Sequence, residues 1–140
     1  MSVQTDSDSP VLRILTVEDD SHIGRIIQLA MPDLGVPYEF AAVLSAEEGL
    51  ELWQQQPFDL LLTDYNLRGM NGLKLITMLK DQGFNVPMVL ITAYDNPQLA
   101  REAREVGVSA YIPKPFFIDE LVNVVRRLTH SKARTVNGTI

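Results

Sequence analysis

Six polar residues stand just past apolar runs of this chain. Glu18, Asp19 and Asp20 follow the run from Val11 to Val17. Asp64 ends the stretch Leu60-Leu61-Leu62-Thr63-Asp64, Thr92 follows Val86 to Ile91, and Lys114 lies just beyond Ser109 to Ile112. Carboxylates gathered at one place repel one another and need compensation. A hard divalent cation supplies it, and Mg2+ suits one or two carboxylates plus a carbonyl and waters. Zinc would want thiolates or clustered histidines; the chain has no cysteine and two isolated histidines, His22 and His130, which read as surface helical residues. Carboxylates, Mg2+, a hydroxyl and a lysine are together the equipment for handling a phosphoryl group, and an aspartate can itself be the nucleophile. Taken singly, each residue has an ordinary reading: a solvated helix cap for Glu18 to Asp20, a strand-end threonine, a surface lysine. Their shared position at strand ends is what argues for a site.

The elements that must position them follow from periodicity. Val11–Val17, Tyr38–Val43, Leu60–Asp64, Val86–Ile91 and Ser109–Ile112 read as strands, the third buried on both faces. Between them lie helical patterns. The first carries Ile23, Ile26, Ile27 and Ala30, capped by Asp20 or Ser21 and closed by Pro32 and Gly35. The second opens on the capping box Ser45-Ala46-Glu47-Glu48 and carries Leu50 and Trp53. The third runs from Leu73 to about Lys80 and is stopped by Gly83 and Asn85. The fourth is capped by Asp95 or Asn96, turns Leu99, Ala100, Ala103 and Val106 inward and ends at Gly107. The last starts near Ile118 and aligns Leu121, Val122, Val125 and Leu128. Five strands alternating with five helices imply an α/β fold, a doubly wound parallel sheet with right-handed crossovers. Ligands bind such sheets beyond the carboxyl ends of the strands, where the six residues fall.

At 140 residues the chain is one domain's worth, and 46% hydrophobic residues can build a full core. Residues 1–10 are polar and acidic and read as a disordered arm, not a secretory signal. Residues 131–140 lose the apolar pattern and read as a tail or truncated linker. The net charge of −6, with basic residues scattered, points to protein partners over nucleic acid. No apolar run approaches the ~20 residues that span a bilayer. Absent cysteine is compatible with a reducing cytoplasm, the expected location.

Several separated motifs resemble the receiver domain of two-component response regulators. ILTVEDD (14–20) looks like the first-strand acidic motif, DLLLTDYNLRGMNG (59–72) like the phosphorylation-site motif, VLITAY (89–94) like the switch-threonine motif and YIPKPF (111–116) like the lysine motif. The resemblance covers residues 11–130 and implies a flavodoxin-like sheet of order 2-1-3-4-5. Position by position, it implies that Asp64 is the phosphoacceptor, that Asp19 binds Mg2+ directly and Glu18 through water, and that the backbone carbonyl of Asn66 completes the metal shell. Thr92 would turn toward the phosphoryl group, Lys114 would neutralise it, and Tyr111 would report the switch by its rotamer. The Lys114–Pro115 bond is often cis in this family. Asn66 and Tyr94 flank the path of hydrolytic water, and a bulky Tyr94 would lengthen the phosphorylated state. Two positions depart from the pattern: Arg68 stands where proline is common and Asn71 where aspartate is common. Pro113 before Lys114 is also less usual.

The resemblance implies a signalling switch that takes a phosphoryl group from a histidine kinase or histidine phosphotransfer protein, catalysing only its own phosphorylation and dephosphorylation, with a downstream protein the sequence does not name. It also allows a phosphorylation-dependent dimer. Other readings are a receiver fragment of a larger regulator or hybrid kinase, and a receiver-like binding module that is not phosphorylated. An aspartate-nucleophile phosphatase would want a second acid two residues after Asp64, where Asn66 stands.

Overall fold

A computed structural model of the chain describes residues 11–94 and 96–137, with backbone alone for 131–137. The N-terminal arm and Asp95 lie outside the described residues. Five strands, β1 (Leu12–Val17), β2 (Tyr38–Val43), β3 (Leu60–Asp64), β4 (Met88–Thr92) and β5 (Ala110–Pro113), alternate with five helices, α1 (Ser21–Ala30), α2 (Ala46–Gln55), α3 (Gly72–Asp81), α4 (Pro97–Val106) and α5 (Ile118–Asn137). A 3-10 turn, Met31–Leu34, extends α1 up to Gly35. The strands form one parallel sheet in the order β2-β1-β3-β4-β5, the doubly wound order expected.

Every residue of β3 and β4 is buried. These strands have sheet neighbours on both sides and helices on both faces, so their sequences are near-continuous apolar runs. Alternate side chains divide between two cores. Leu61, Met88 and Leu90 join Leu15, Trp53, Leu75 and Leu79 under α2, α3 and α4. Leu60, Leu62, Val89 and Ile91 join Ile14, Ile27, Leu121 and Val125 under α1 and α5. Trp53 is fully buried, its ring 5.3 Å from Phe58 and 5.9 Å from Phe84 between centroids.

Four helices start from a side-chain cap placed just beyond a strand. Asp20 accepts from the His22 amide, Ser45 from Glu48, Asn71 from Lys74 and Asn96 from Leu99. Glu48 reaches back toward the cap, its Oε1 accepting from the Leu44 amide, one residue before Ser45, at 3.1 Å. Asn71 therefore does at the start of α3 what a shorter-range acceptor must do there, satisfying an amide with no intrahelical partner.

One sequence reading needs revision. Ile26 was expected in the apolar stripe of α1, but the helix buries Gly24, Ile27 and Ala30, and Ile26 is 46% exposed. Consecutive isoleucines at 26 and 27 point about 100° apart on a helix, so only one can face the sheet. The last helix runs to Asn137, into the stretch read as a tail or linker. Lys132, Ala133 and Arg134 are strong helix formers, which lets the backbone continue after the apolar pattern stops.

One close contact fixes α3 against the strand that carries Asp64. A Cβ on Gly72 would lie 2.0 Å from the Asp64 carbonyl oxygen and 3.0 Å from Thr63 Oγ1. The Gly72 amide instead donates to the Tyr65 carbonyl at 3.0 Å. Gly72→Ala must push α3 off the end of β3. It should cost about 1–3 kcal/mol, the usual penalty for overpacking, as a shift in the urea midpoint at unchanged slope.

Candidate functional site

The carboxyl ends of β1, β3, β4 and β5 meet in one crevice. Parallel register places Val17 opposite Thr63, Asp64 opposite Ile91 and Thr92 opposite Pro113. The residue after each of three strands then enters the crevice on a main-chain bond to its neighbour. The Glu18 amide donates to Val43, that of Tyr65 to Ile91, and that of Lys114 to Thr92. The Lys114–Pro115 peptide is cis, as the resemblance implied.

At the centre, Lys114 Nζ lies 3.0 Å from Glu18 Oε1 and 3.1 Å from Asp64 Oδ2. Both carboxylates are nearly buried, 3% and 5% exposed. Their second oxygens take main-chain amides: Glu18 Oε2 from Asp20 at 3.2 Å, Asp64 Oδ1 from Asn66 at 3.3 Å. Each buried charge thus has a cation on one oxygen and an amide on the other, which is what makes such burial tolerable.

Burial and the neighbouring Asp64 charge push the Glu18 carboxyl up from its ordinary value, against the lowering pull of Lys114. For Lys114, burial works toward a lower pKa, but its bonds to Glu18 and Asp64 prevail and hold it above the ordinary lysine value. The ammonium is therefore held charged between the two acids.

Asp19 is exposed beside this pair, and oxygens of Glu18, Asp19 and Asp64 lie within 4.8 Å of one another. Three carboxylates at that separation, with a main-chain turn at Asn66 alongside, form an all-oxygen donor set that suits a small hard cation. Asp20 turns away to cap α1.

Thr92 is fully buried, and its hydroxyl oxygen accepts from the Tyr94 amide at 2.8 Å. The Tyr111 hydroxyl donates to the Tyr94 carbonyl at 2.6 Å. Tyr94 is half exposed, its ring edge-on to that of Tyr65 at 6.2 Å. The sequence reading had not marked Tyr65, although an aromatic next to Asp64 was a visible signal. It also passed over Leu29, 67% exposed on α1, and Phe117, 81% exposed just past the lysine.

The sequence model of the response regulator receiver domain matches residues 14–126. The chain belongs to this receiver family. Among curated relatives, the response regulator protein FleR of Pseudomonas aeruginosa is 36% identical over 118 residues, taking in 82% of this chain and 24% of FleR. The transcriptional regulatory protein PcoR of Escherichia coli is 32% identical over 128 residues, 91% of this chain and 55% of PcoR. The chain thus spans a quarter to about half of these relatives. Solved structures agree. The receiver domain of Francisella response regulator 1452 superposes with a TM-score of 0.77 at 26% identity, over 89% of this chain and 98% of that one. A CheY-like receiver domain protein from Methanospirillum hungatei gives 0.79 at 25% identity over the same shares. As a receiver domain of two-component signalling, the chain has the architecture of a phosphoacceptor switch, with an acidic pocket where receivers hold Mg2+. Among the described residues no helix is long and apolar enough to cross a membrane.

Lys114 is the only cation on the two buried acids among the described contacts. Replacing it by methionine strands both charges. Lys114→Met should lower stability at neutral pH by about 3 kcal/mol, the low end for breaking a buried pair. Adding Glu18→Gln should recover part of that loss, a non-additivity read from a urea double-mutant cycle.

Proposed function

We propose that Asp64 is the phosphoacceptor of this receiver, taking its phosphoryl group from phosphohistidine on a sensor kinase or phosphotransfer protein. The observation that carries this is the single ammonium of Lys114 bridging Asp64 and Glu18 at 3.1 and 3.0 Å beside exposed Asp19. An Asp64 oxygen attacks phosphorus, the phosphorus–nitrogen bond of the donor breaks, and the imidazole leaves with that electron pair. Glu18, Asp19, Asp64 and the Asn66 carbonyl are the residues that would hold Mg2+, Glu18 through water, and the ion would neutralise phosphoryl oxygens during transfer. Lys114 keeps its charge in the pocket and is placed to pair with the incoming group.

A phosphoryl group adds about −1.5 to −2 charges at neutral pH. That charge gives the Thr92 hydroxyl a stronger partner than the Tyr94 amide it now meets at 2.8 Å. Turning Thr92 inward releases Tyr94, whose carbonyl holds the Tyr111 hydroxyl. The phosphorylated state is thereby favoured over a resting one that already exists, and the face of α4, β5 and α5 changes for a downstream protein or a second copy of the chain. The only catalysis is the domain's own phosphorylation and dephosphorylation, in the cytoplasm, with no direct nucleic-acid contact by the domain.

Incubation with a small phosphodonor and Mg2+ should add about 80 Da, one phosphoryl group, to the wild-type chain and nothing to Asp64→Asn. Failure of wild type to gain mass with several donors overturns the assignment. Tyr94 stands half exposed against Tyr65, the neighbour of the acceptor, where it obstructs hydrolytic water. Tyr94→Ala should shorten the lifetime of the phosphorylated form severalfold in a dephosphorylation time course; an unchanged lifetime rules out shielding.

A further inference from the structure

The loop from Tyr65 to Asn71 leaves the acceptor strand and returns to α3, and its two ends are firmly held. The Leu67 and Gly72 amides both donate to the Tyr65 carbonyl, at 3.1 and 3.0 Å, and the Leu67 side chain is buried in the core. The tip is different. Among the described contacts, the amides of Arg68, Gly69 and Met70 make one intramolecular hydrogen bond between them, from Met70 to Glu47 Oε2 at 3.0 Å. Glu47 lies in the first turn of α2, far away in sequence.

The fit between this carboxylate and the loop is close. Gly69 has φ +75°, and a Cβ there would meet Glu47 Oε2 at 2.8 Å and Oε1 at 3.3 Å. The tip is thus shaped both by a left-handed residue and by the carboxylate pressed against it. Arg68 leaves φ at this tip unrestrained by a ring, so the Glu47 contact supplies rigidity that the local sequence does not.

We propose that Glu47 is a positioning residue for phosphoryl transfer: its carboxylate clamps the Met70 amide and so holds the acceptor loop with the Asn66 carbonyl at the acidic pocket. This rests on the phosphoacceptor reading above. Glu47 touches neither acceptor nor pocket; it acts through the backbone between Asn66 and Met70. A hydrogen bond from an amide to a carboxylate is stronger than a neutral pair, and it joins α2 to a tip whose other anchor is the Met70 side chain packed on the core. Loosening the tip removes a restraint on the backbone that follows Asn66 and Leu67, and Mg2+ must then supply that ordering when it binds.

The test measures initial phosphorylation rate with a small phosphodonor against Mg2+ concentration, exchange of the Met70 amide, and the thermal midpoint. Glu47→Ala should raise the Mg2+ concentration for half-maximal rate roughly fivefold and speed Met70 exchange by about tenfold, as expected for loss of one charge-assisted bond. Glu47→Gln keeps an acceptor oxygen and should stay within about twofold of wild type. The clamp is overturned if Glu47→Ala keeps the wild-type Mg2+ dependence, even with a lowered thermal midpoint, or if Glu47→Gln is as impaired as Glu47→Ala. Should the wild-type chain itself accept no phosphoryl group, the phosphoacceptor reading falls and takes the clamp with it. A labelled wild type with an indistinguishable Glu47→Ala sinks the clamp alone.

Discussion

One ammonium between two nearly buried carboxylates organises this molecule. Glu18 and Asp64 sit at the ends of neighbouring strands, and side by side their charges would oppose the pairing of β1 with β3. Lys114 reaches them from β5, two strands beyond β3 in the sheet. The compensation therefore comes from across the sheet, and the crevice is electrostatically complete only when all three strand ends are in register. Parallel pairing and the hydrogen bond from the Lys114 amide to the Thr92 carbonyl are the local means by which that reach is made.

This dependence explains why the site was so readable from the sequence. A charged or hydroxyl residue directly after a buried apolar strand has its location fixed by the strand, and the doubly wound alternation brings those strand ends together. Glu18, Asp19, Asp64, Thr92 and Lys114 were legible on that basis; the structure brings the side chains of Glu18, Asp19, Asp64 and Lys114 together and sets Thr92 at the end of the neighbouring β4. Strand β3 was clearest, because three leucines and a threonine leave no face for solvent.

What the sequence did not disclose were contacts that depend on how helices settle on the sheet. Ile23, Ile26 and Ile27 all fit a helical apolar stripe, and only docking on the sheet decides that Ile27 is buried while Ile26 is left exposed. The spacing Ser45-x-x-Glu48 singles out Glu48 as the glutamate that reaches back over the start of α2. It says nothing of Glu47, which turns to the loop after β3, where its Oε2 accepts from the Met70 amide. Asn71, a departure from the family pattern, proved to be an N-cap in good geometry, so the departure leaves the start of α3 intact.

The glycine at the head of α3 has a mechanical meaning. With Gly72 packed against the Asp64 main chain, the floor of the crevice on that side is a rigid abutment that has no room to recoil. On the opposite side, the hydroxyls of Thr92 and Tyr111 both bond to the main chain of Tyr94, the first to its amide and the second to its carbonyl. One residue outside the strands therefore links two side chains from neighbouring strands, β4 and β5. If a charge entering the crevice turned Thr92, the unyielding side at β3 would act as a fulcrum, and the displacement would be passed through Tyr94 toward β5.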